Sequence, residues 1–425
     1  MSDIVLTPSK LNGKTMAPPS KSDAHRAIIC AALSKGVCKI APIAMSNDIK
    51  ATINCVKALG ANAEIDGDKL IIDGRNIFKN KTASLDCFES GSTLRFFVPI
   101  ATAGGVSTEF SGHGSLTTRP IGLFSELLPK AGVKCVTDGT LPLCVSGQLK
   151  SGTFEIAGNI SSQFITGLLL ALPLLDGDSK IVLTTNLESE GYINMTLACM
   201  KKFGVNAERT DYGWFVKGNQ SYIPRDYTTD GDWSQAAFFM TAGAVSGDVS
   251  VEGVDINSTQ GDKEIVNLLK RFGTDVEINE NSVRVKKSAL KAIKIDAHNI
   301  PDLVPILSVA AAYADGITEI YGAERLRIKE SDRLKTTADM INSLGGIAEE
   351  KPDGLIIRGT GKLRGGEVNG SNDHRIVMAA STAALFCKND VKISDRESIN
   401  KSFPDYFEKY KELGGVVKCQ STEII

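Results

Sequence analysis

The sequence lacks most of what would mark a metalloprotein, a secreted protein or a membrane protein. Its four histidines (His25, His113, His298, His374) are isolated, with no HExxH motif and no zinc-ligand cluster, so no metal is expected. The nine cysteines form no CxxC pair, and their odd number does not suit a disulfide framework; they read as scattered reduced thiols. There is no apolar stretch of 18 residues and no N-terminal signal pattern, which points to a cytoplasmic protein without a membrane span. An excess of positive charge is missing too. A net charge of -2 and a pI near 6.2 argue against general nucleic-acid binding.

What is present is a repeat. Ser22, Ser92, Ser161, Asp232, Asp302 and Asp373 each open an apolar, helix-length run, at intervals of 70, 69, 71, 70 and 71 residues. Ser and Asp accept hydrogen bonds from the unpaired amides of a first helical turn, so these six positions are expected helix N-caps. A second ladder runs out of phase: Gly60, Gly132, Gly204, Gly273, Gly345 and Gly414, at intervals of 72, 72, 69, 72 and 69. Each glycine follows a helix-like stretch, where it suits a left-handed C-terminal cap. Two strand-like segments then follow most of them, such as NAEID and KLIID, or DVEIN and SVRVK.

Six copies of one α/β unit of about 70 residues are therefore expected, too long for solenoid rungs. A chain of 425 residues exceeds one ordinary core and should divide. Helices apolar on every side must be buried, so three such helices should fill each half, with amphipathic helices and sheets outside. The polar segment at residues 219–231 marks the break. The expected domains are residues 21–229, and residues 1–20 together with 230–425. In the second, the N-terminal strand IVLT completes the truncated sixth repeat, and two crossings give a hinge-like connection.

The ladder also suggests a site. Helix N-termini that point one way carry roughly half a positive charge each and free amide donors. Two domains facing each other would focus that potential into a cleft. Basic residues recur at these starts: Lys21 and Arg26 near Ser22, Arg95 after Gly91 and Ser92, and Arg375 after Asp373 and His374. Ser161, Ser162 and Gln163 offer neutral donors at the third. One such cation is usually a solvated surface charge; recurrence at equivalent positions favours a shared anion site. Arg119-Pro120 in a Gly- and Thr-rich loop, the run from Arg327 to Arg333, and Lys401 in NKSFPDYF add cations outside the ladder. Arginine pairs bidentately with carboxylate or phosphate, while lysine acts as a movable point charge.

PPSKSDAHRAIICAAL, ESGSTLRFF, the Arg119-Pro-Ile-Gly loop, GNISSQF, ESEGYINMT, the IPD turn, RIKESDR, NDHR and KSFPDYF occur in that order. In this series the whole chain resembles the family of 5-enolpyruvylshikimate-3-phosphate synthases, the 3-phosphoshikimate 1-carboxyvinyltransferases. The resemblance implies an inside-out α/β barrel of two domains, each of three βαβαββ units. It implies transfer of the enolpyruvyl group of phosphoenolpyruvate to the 5-hydroxyl of shikimate 3-phosphate, through a tetrahedral intermediate that expels phosphate. Neither a metal nor an organic cofactor is implied. The expected partners are those two small molecules alone, acting on a monomer, with no nucleic acid and no membrane. Glyphosate is implied as an inhibitor.

By the same resemblance, Lys21, Ser22, Arg26, Ser161, Ser162, Gln163, Ser189, Tyr192, Asp302 and Lys329 bind shikimate 3-phosphate. Lys21, Gly91, Arg119, Gln163, Arg333, Arg375 and Lys401 surround phosphoenolpyruvate. Asp302 takes the 5-hydroxyl proton, and Glu330 and Lys21 handle the proton at the methylene carbon. Three departures from the family pattern stand out: ESEGY around Ser189, Arg325 near the acceptor, and Phe96 after Arg95. The related UDP-N-acetylglucosamine 1-carboxyvinyltransferases typically carry Lys-Asn at the first helix and a cysteine in a mobile loop. Here the pair is Lys21-Ser22, and residues 111–122 contain no cysteine. A non-enzymatic anion binder is the other alternative, and carboxylates such as Asp302 and Glu330 among the cations would weaken one.

Overall fold

All six marker glycines adopt positive φ, between 79° and 113°. Each ends a helical turn where a side chain would strain the backbone. At Gly60 the closure is a Schellman motif: the Ala61 amide donates to the Val56 carbonyl at 3.0 Å and the Gly60 amide to Lys57 at 2.9 Å. The same six-residue bond recurs at Val205, Thr274, Gly346 and Gly415. The repeat is thus a repeat of helix termination, followed each time by strand.

The structure is a computed structural model that describes residues 2–418. It contains six sheets of four strands with one shared topology. In the second repeat, Thr82–Asp86 runs parallel to Ser107–Ser111, with the Gly91–Ala103 helix as the crossover. Leu143–Gly147 then pairs antiparallel with Ser107–Ser111, and Val133–Val136 with Leu143–Gly147. Three sheets borrow a strand from elsewhere in the chain. Tyr227–Thr228 lies parallel to Val37–Ala41, and Asn12–Met16 parallel to Asp248–Glu252. Ile4–Thr7 inserts between Val391–Ile393 and Val416–Lys418, antiparallel to both.

The chain divides into two compact units. One holds Pro19–Thr229; the other holds the segment up to Pro18 and the chain from Asp230 onward. Each has its own apolar core around three helices. Every residue of the Trp233–Ser246 and His374–Ala384 helices is buried, as is every residue of Gly91–Ala103 except Ser92. Their strands alternate, as Lys69–Asp73 and Leu143–Gly147 do, with one face on the core. This is the inside-out α/β arrangement expected of the sequence.

The cap assignments need correcting in three places. Ser161, Asp232 and Asp373 cap as expected, accepting from the amides of Gln163, Gln235 and Arg375. Ser22 and Ser92 instead lie inside their helices. The caps are Ser20 and Ser90, which accept from Asp23 and Thr93 at 3.4 and 3.2 Å. In each of these two helices the sequence offers two serines two residues apart, and the earlier one starts the helix. Asp302 caps nothing: it sits in the Pro301–Leu303 turn before the Val304–Tyr313 helix, which has no side-chain cap. Its carboxylate is engaged by arginines.

Candidate functional site

The predicted residues fall into two sets, one in each unit. In Pro19–Thr229, the start of the Gly91–Ala103 helix is a cradle of donors. A methyl group at Gly91 would lie 2.5 Å from Arg95 Nη1, 2.7 Å from Arg119 Nη1 and 3.5 Å from Gln163 Oε1. Only glycine leaves room for both guanidiniums here. Arg95 donates to Gln163 Oε1 at 3.0 Å and lies over the Phe164 ring, and Gln163 Nε2 donates to Ser92 Oγ at 2.9 Å. Arg119 is buried. Two buried guanidiniums, a carboxamide and a helix N-terminus converge, which is the chemistry of an anion site. Arg95 counts among the recurring cations at the helix starts, but the family resemblance does not assign it to either substrate.

The first helix of this unit is tied more tightly than its motif suggested. Lys21 Nζ pairs with Asp48 Oδ2 at 2.7 Å, both largely buried. Nothing in a single sequence couples these two, and Asp48 was missed. Arg26, 3% exposed, makes three hydrogen bonds to protein: Nε to Thr196 Oγ1 at 2.8 Å, Nη1 to the Ser22 carbonyl at 2.5 Å, and Nη2 to the Tyr192 carbonyl at 3.0 Å. It thereby locks the Lys21–Leu33 helix to the Glu190–Lys202 helix. Phe96, the departure after Arg95, supplies the ring beneath Arg26, 5.3 Å away. Ser189, within the departing ESEGY segment, is buried in a left-handed conformation with φ 55° at the start of the helix that carries Tyr192. Ser161 Oγ accepts from the Gln163 amide at 3.3 Å, and Ser162 is buried beside it.

In the other unit the centre is Arg333, 1% exposed. It donates to Asp302 Oδ1 at 2.8 Å, Glu330 Oε2 at 2.6 Å and Asp373 Oδ2 at 2.9 Å. Arg375 takes the other oxygen of Asp302 at 2.9 Å and its carbonyl at 3.2 Å. Asp373, read from sequence as a cap only, therefore also clamps Arg333. Burial disfavours the Arg333 charge, but Asp373, Glu330 and Asp302 outweigh it and hold its pKa above the ordinary value. For Lys329, burial wins: its pKa falls to about 8, against the pull of Asp302. Lys401 ends the Arg396–Lys401 turn and donates to the Asn372 carbonyl at 2.6 Å. Ser371 and Asn372 both have positive φ, so the segment entering the Asp373 cap is held in a strained conformation. Arg325 is anchored to the His298 carbonyl at 2.5 Å.

Among the described residues, no group of three His, Cys, Asp or Glu is arranged to hold a metal ion. No helix among them is long and apolar enough to cross a membrane.

The family model described as EPSP synthase (3-phosphoshikimate 1-carboxyvinyltransferase) matches residues 5–410. The chain belongs to this family. It is 47% identical over 422 residues to a 3-phosphoshikimate 1-carboxyvinyltransferase of Clostridium perfringens, covering 98% of this chain and 100% of the relative. A relative of the same name from Clostridium novyi is 45% identical over 428 residues, covering 98% of each chain. The solved structure of an EPSP synthase from Acinetobacter baumannii superposes with a TM-score of 0.83 at 26% identity, over 99% of this chain and 100% of that one. The reaction named for the family is transfer of a carboxyvinyl group to 3-phosphoshikimate.

Proposed function

We propose that the chain transfers the enolpyruvyl group of phosphoenolpyruvate to the 5-hydroxyl of shikimate 3-phosphate and releases phosphate. The observation that carries this reading is Asp302, a carboxylate held between two guanidiniums. A pure anion trap has no use for it, whereas a transferase needs a base among its cations. Arg333 and Arg375 each bond one oxygen of Asp302 and so fix the orientation of its carboxylate. Asp302 accepts the 5-hydroxyl proton as the oxygen attacks the enolpyruvyl carbon. Glu330 and Lys21 serve the proton at the methylene carbon, and that proton returns when phosphate leaves.

The two substrates together carry two phosphates and two carboxylates, so many fixed donors are required. Charge-assisted hydrogen bonds contribute about 1.5–3 kcal/mol each, which offsets the loss of ligand hydration. Gly91, Arg119, Arg333, Arg375 and Lys401 are assigned to phosphoenolpyruvate, and Lys21 and Gln163 to both substrates. Ser22, Arg26, Ser161, Ser162, Ser189, Tyr192, Asp302 and Lys329 are assigned to shikimate 3-phosphate. The enzyme is proposed to work in the cytoplasm as a monomer, without metal or organic cofactor.

The UDP-N-acetylglucosamine reading is not favoured, since the relatives named above act by name on 3-phosphoshikimate. Phosphate release from phosphoenolpyruvate, measured with each acceptor separately, tests the proposal. Release only with shikimate 3-phosphate is expected. Release with UDP-N-acetylglucosamine, or with neither, would overturn it.

A further inference from the structure

Asp262 stands outside every role assigned so far, yet it is 3% exposed and charged groups surround it. It lies in the short Gly261–Glu264 turn, which packs on the Trp233–Ser246 helix, as does the Pro301–Leu303 turn that carries Asp302. Its Oδ2 accepts a hydrogen bond from the Ser234 hydroxyl. Its Oδ1 has no hydrogen-bond partner among the described residues. The charged groups that act on it are Asp302, Arg375 and Asp232, two carboxylates and one guanidinium.

A buried carboxylate with one oxygen unbonded is costly, and the neutral acid much less so. The choice of which carboxyl ionises follows from partners. Asp302 has two guanidiniums and Asp262 has one hydroxyl, so negative charge belongs on Asp302 and the proton on Asp262. We propose that Asp262 is a positioning residue for the transfer reaction: as a neutral acid it leaves Arg375 its full charge for an incoming anion, and on ionising it weakens that site. This rests on the enolpyruvyl-transfer reading above. Burial first, and Asp302 second, push the Asp262 pKa up to about 7, so the change falls near neutral pH.

The test compares the KM for phosphoenolpyruvate of the wild type and Asp262→Asn between pH 6 and 9. Asparagine keeps the shape and cannot ionise, and taking the ratio of the two proteins cancels titration of the substrate itself. The ratio of wild type to variant should be near one at pH 6 and rise roughly three- to tenfold by pH 9. Identical pH profiles would overturn the proposal. Ser234→Ala removes the donor that favours the charged form, so it should move the rise to higher pH; an unmoved rise counts against the assignment.

Melting temperature gives a readout independent of turnover. The folded chain retains a proton that the unfolded chain releases near pH 4. Wild type therefore loses stability between about pH 4 and 7 relative to Asp262→Asn, and a difference that stays flat across that window would overturn the protonation claim. If the wild type turned over neither substrate, the transfer reading would fall, while the melting comparison would still decide the state of Asp262.

Discussion

Arg333 Nη1 donates to Asp302 Oδ1 at 2.8 Å, with the guanidinium almost wholly buried and the carboxylate side chain only 14% exposed. The contact fixes the carboxylate in place and aims it, which a proton acceptor needs. Arg333 is shared with Glu330 and Asp373, so that placement is set by a network rather than by a pair.

Removing Arg333 would take a shared guanidinium from Glu330, Asp373 and Asp302, of which Asp302 keeps Arg375. Arg333→Ala should destabilise its unit by about 3–5 kcal/mol, the usual cost of leaving buried charge uncompensated. Denaturant unfolding measures it; a loss under 1 kcal/mol would show that solvent already screens the cluster.

Asp302→Asn keeps the size of the side chain and a carbonyl acceptor but loses the base. Turnover should fall by about two to four orders of magnitude, with a small change in acceptor affinity. Near-normal turnover would reduce Asp302 to a partner of arginines.

Lys329 carries a pH signature of its own. Its pKa is lowered to about 8, so the cation is present below that pH and lost above it. If it binds shikimate 3-phosphate, kcat/KM for that substrate should fall as pH rises through about 8. Lys329→Arg stays charged and should lose this limb of the profile. The same descending limb in both proteins would assign it to another group.

Activity should survive exhaustive chelation, because the proposed chemistry is carried by side chains alone. Loss of turnover on chelation, restored by one divalent ion, would contradict that assignment.

The repeat was legible in sequence because left-handed helix ends demand glycine and buried helices demand unbroken apolar runs. Both requirements are local, and both recur. The site was legible in composition and less so in arrangement. Lys21 and Arg333 stand in recognisable motifs, but their pairing with Asp48 and Asp373 is defined by contacts across the fold. Lys21 and Asp48 lie 27 residues apart, and Arg333 and Asp373 lie 40 apart. Arg26 stands in a recognisable motif too, but its bonds to Thr196, Ser22 and Tyr192 are visible only in the fold. The displaced caps at Ser20 and Ser90 have a simpler cause, since serines two residues apart are equivalent in pattern and only backbone geometry separates them.

Gly91 gives the sharpest test of the anion cradle. An added methyl would come within 2.5 Å of Arg95 Nη1 and 2.7 Å of Arg119 Nη1, both far ends of flexible side chains. They can move aside, so Gly91→Ala should fold with little loss of stability while the two guanidiniums are pushed off their positions. Overpacking of a tight site typically costs about 1–3 kcal/mol. That cost is not shared equally among ligands. Compact phosphoenolpyruvate tolerates a narrower cradle better than a longer molecule that spans the same anion contacts. Glyphosate is such a molecule, so the wild-type chain should be sensitive to it. The glyphosate inhibition constant should rise by a larger factor than the KM for phosphoenolpyruvate in Gly91→Ala. Steady-state measurement of both constants for both proteins decides the matter. Equal shifts, or a wild type already resistant, would mean that the space over Gly91 does not set the length of the pocket.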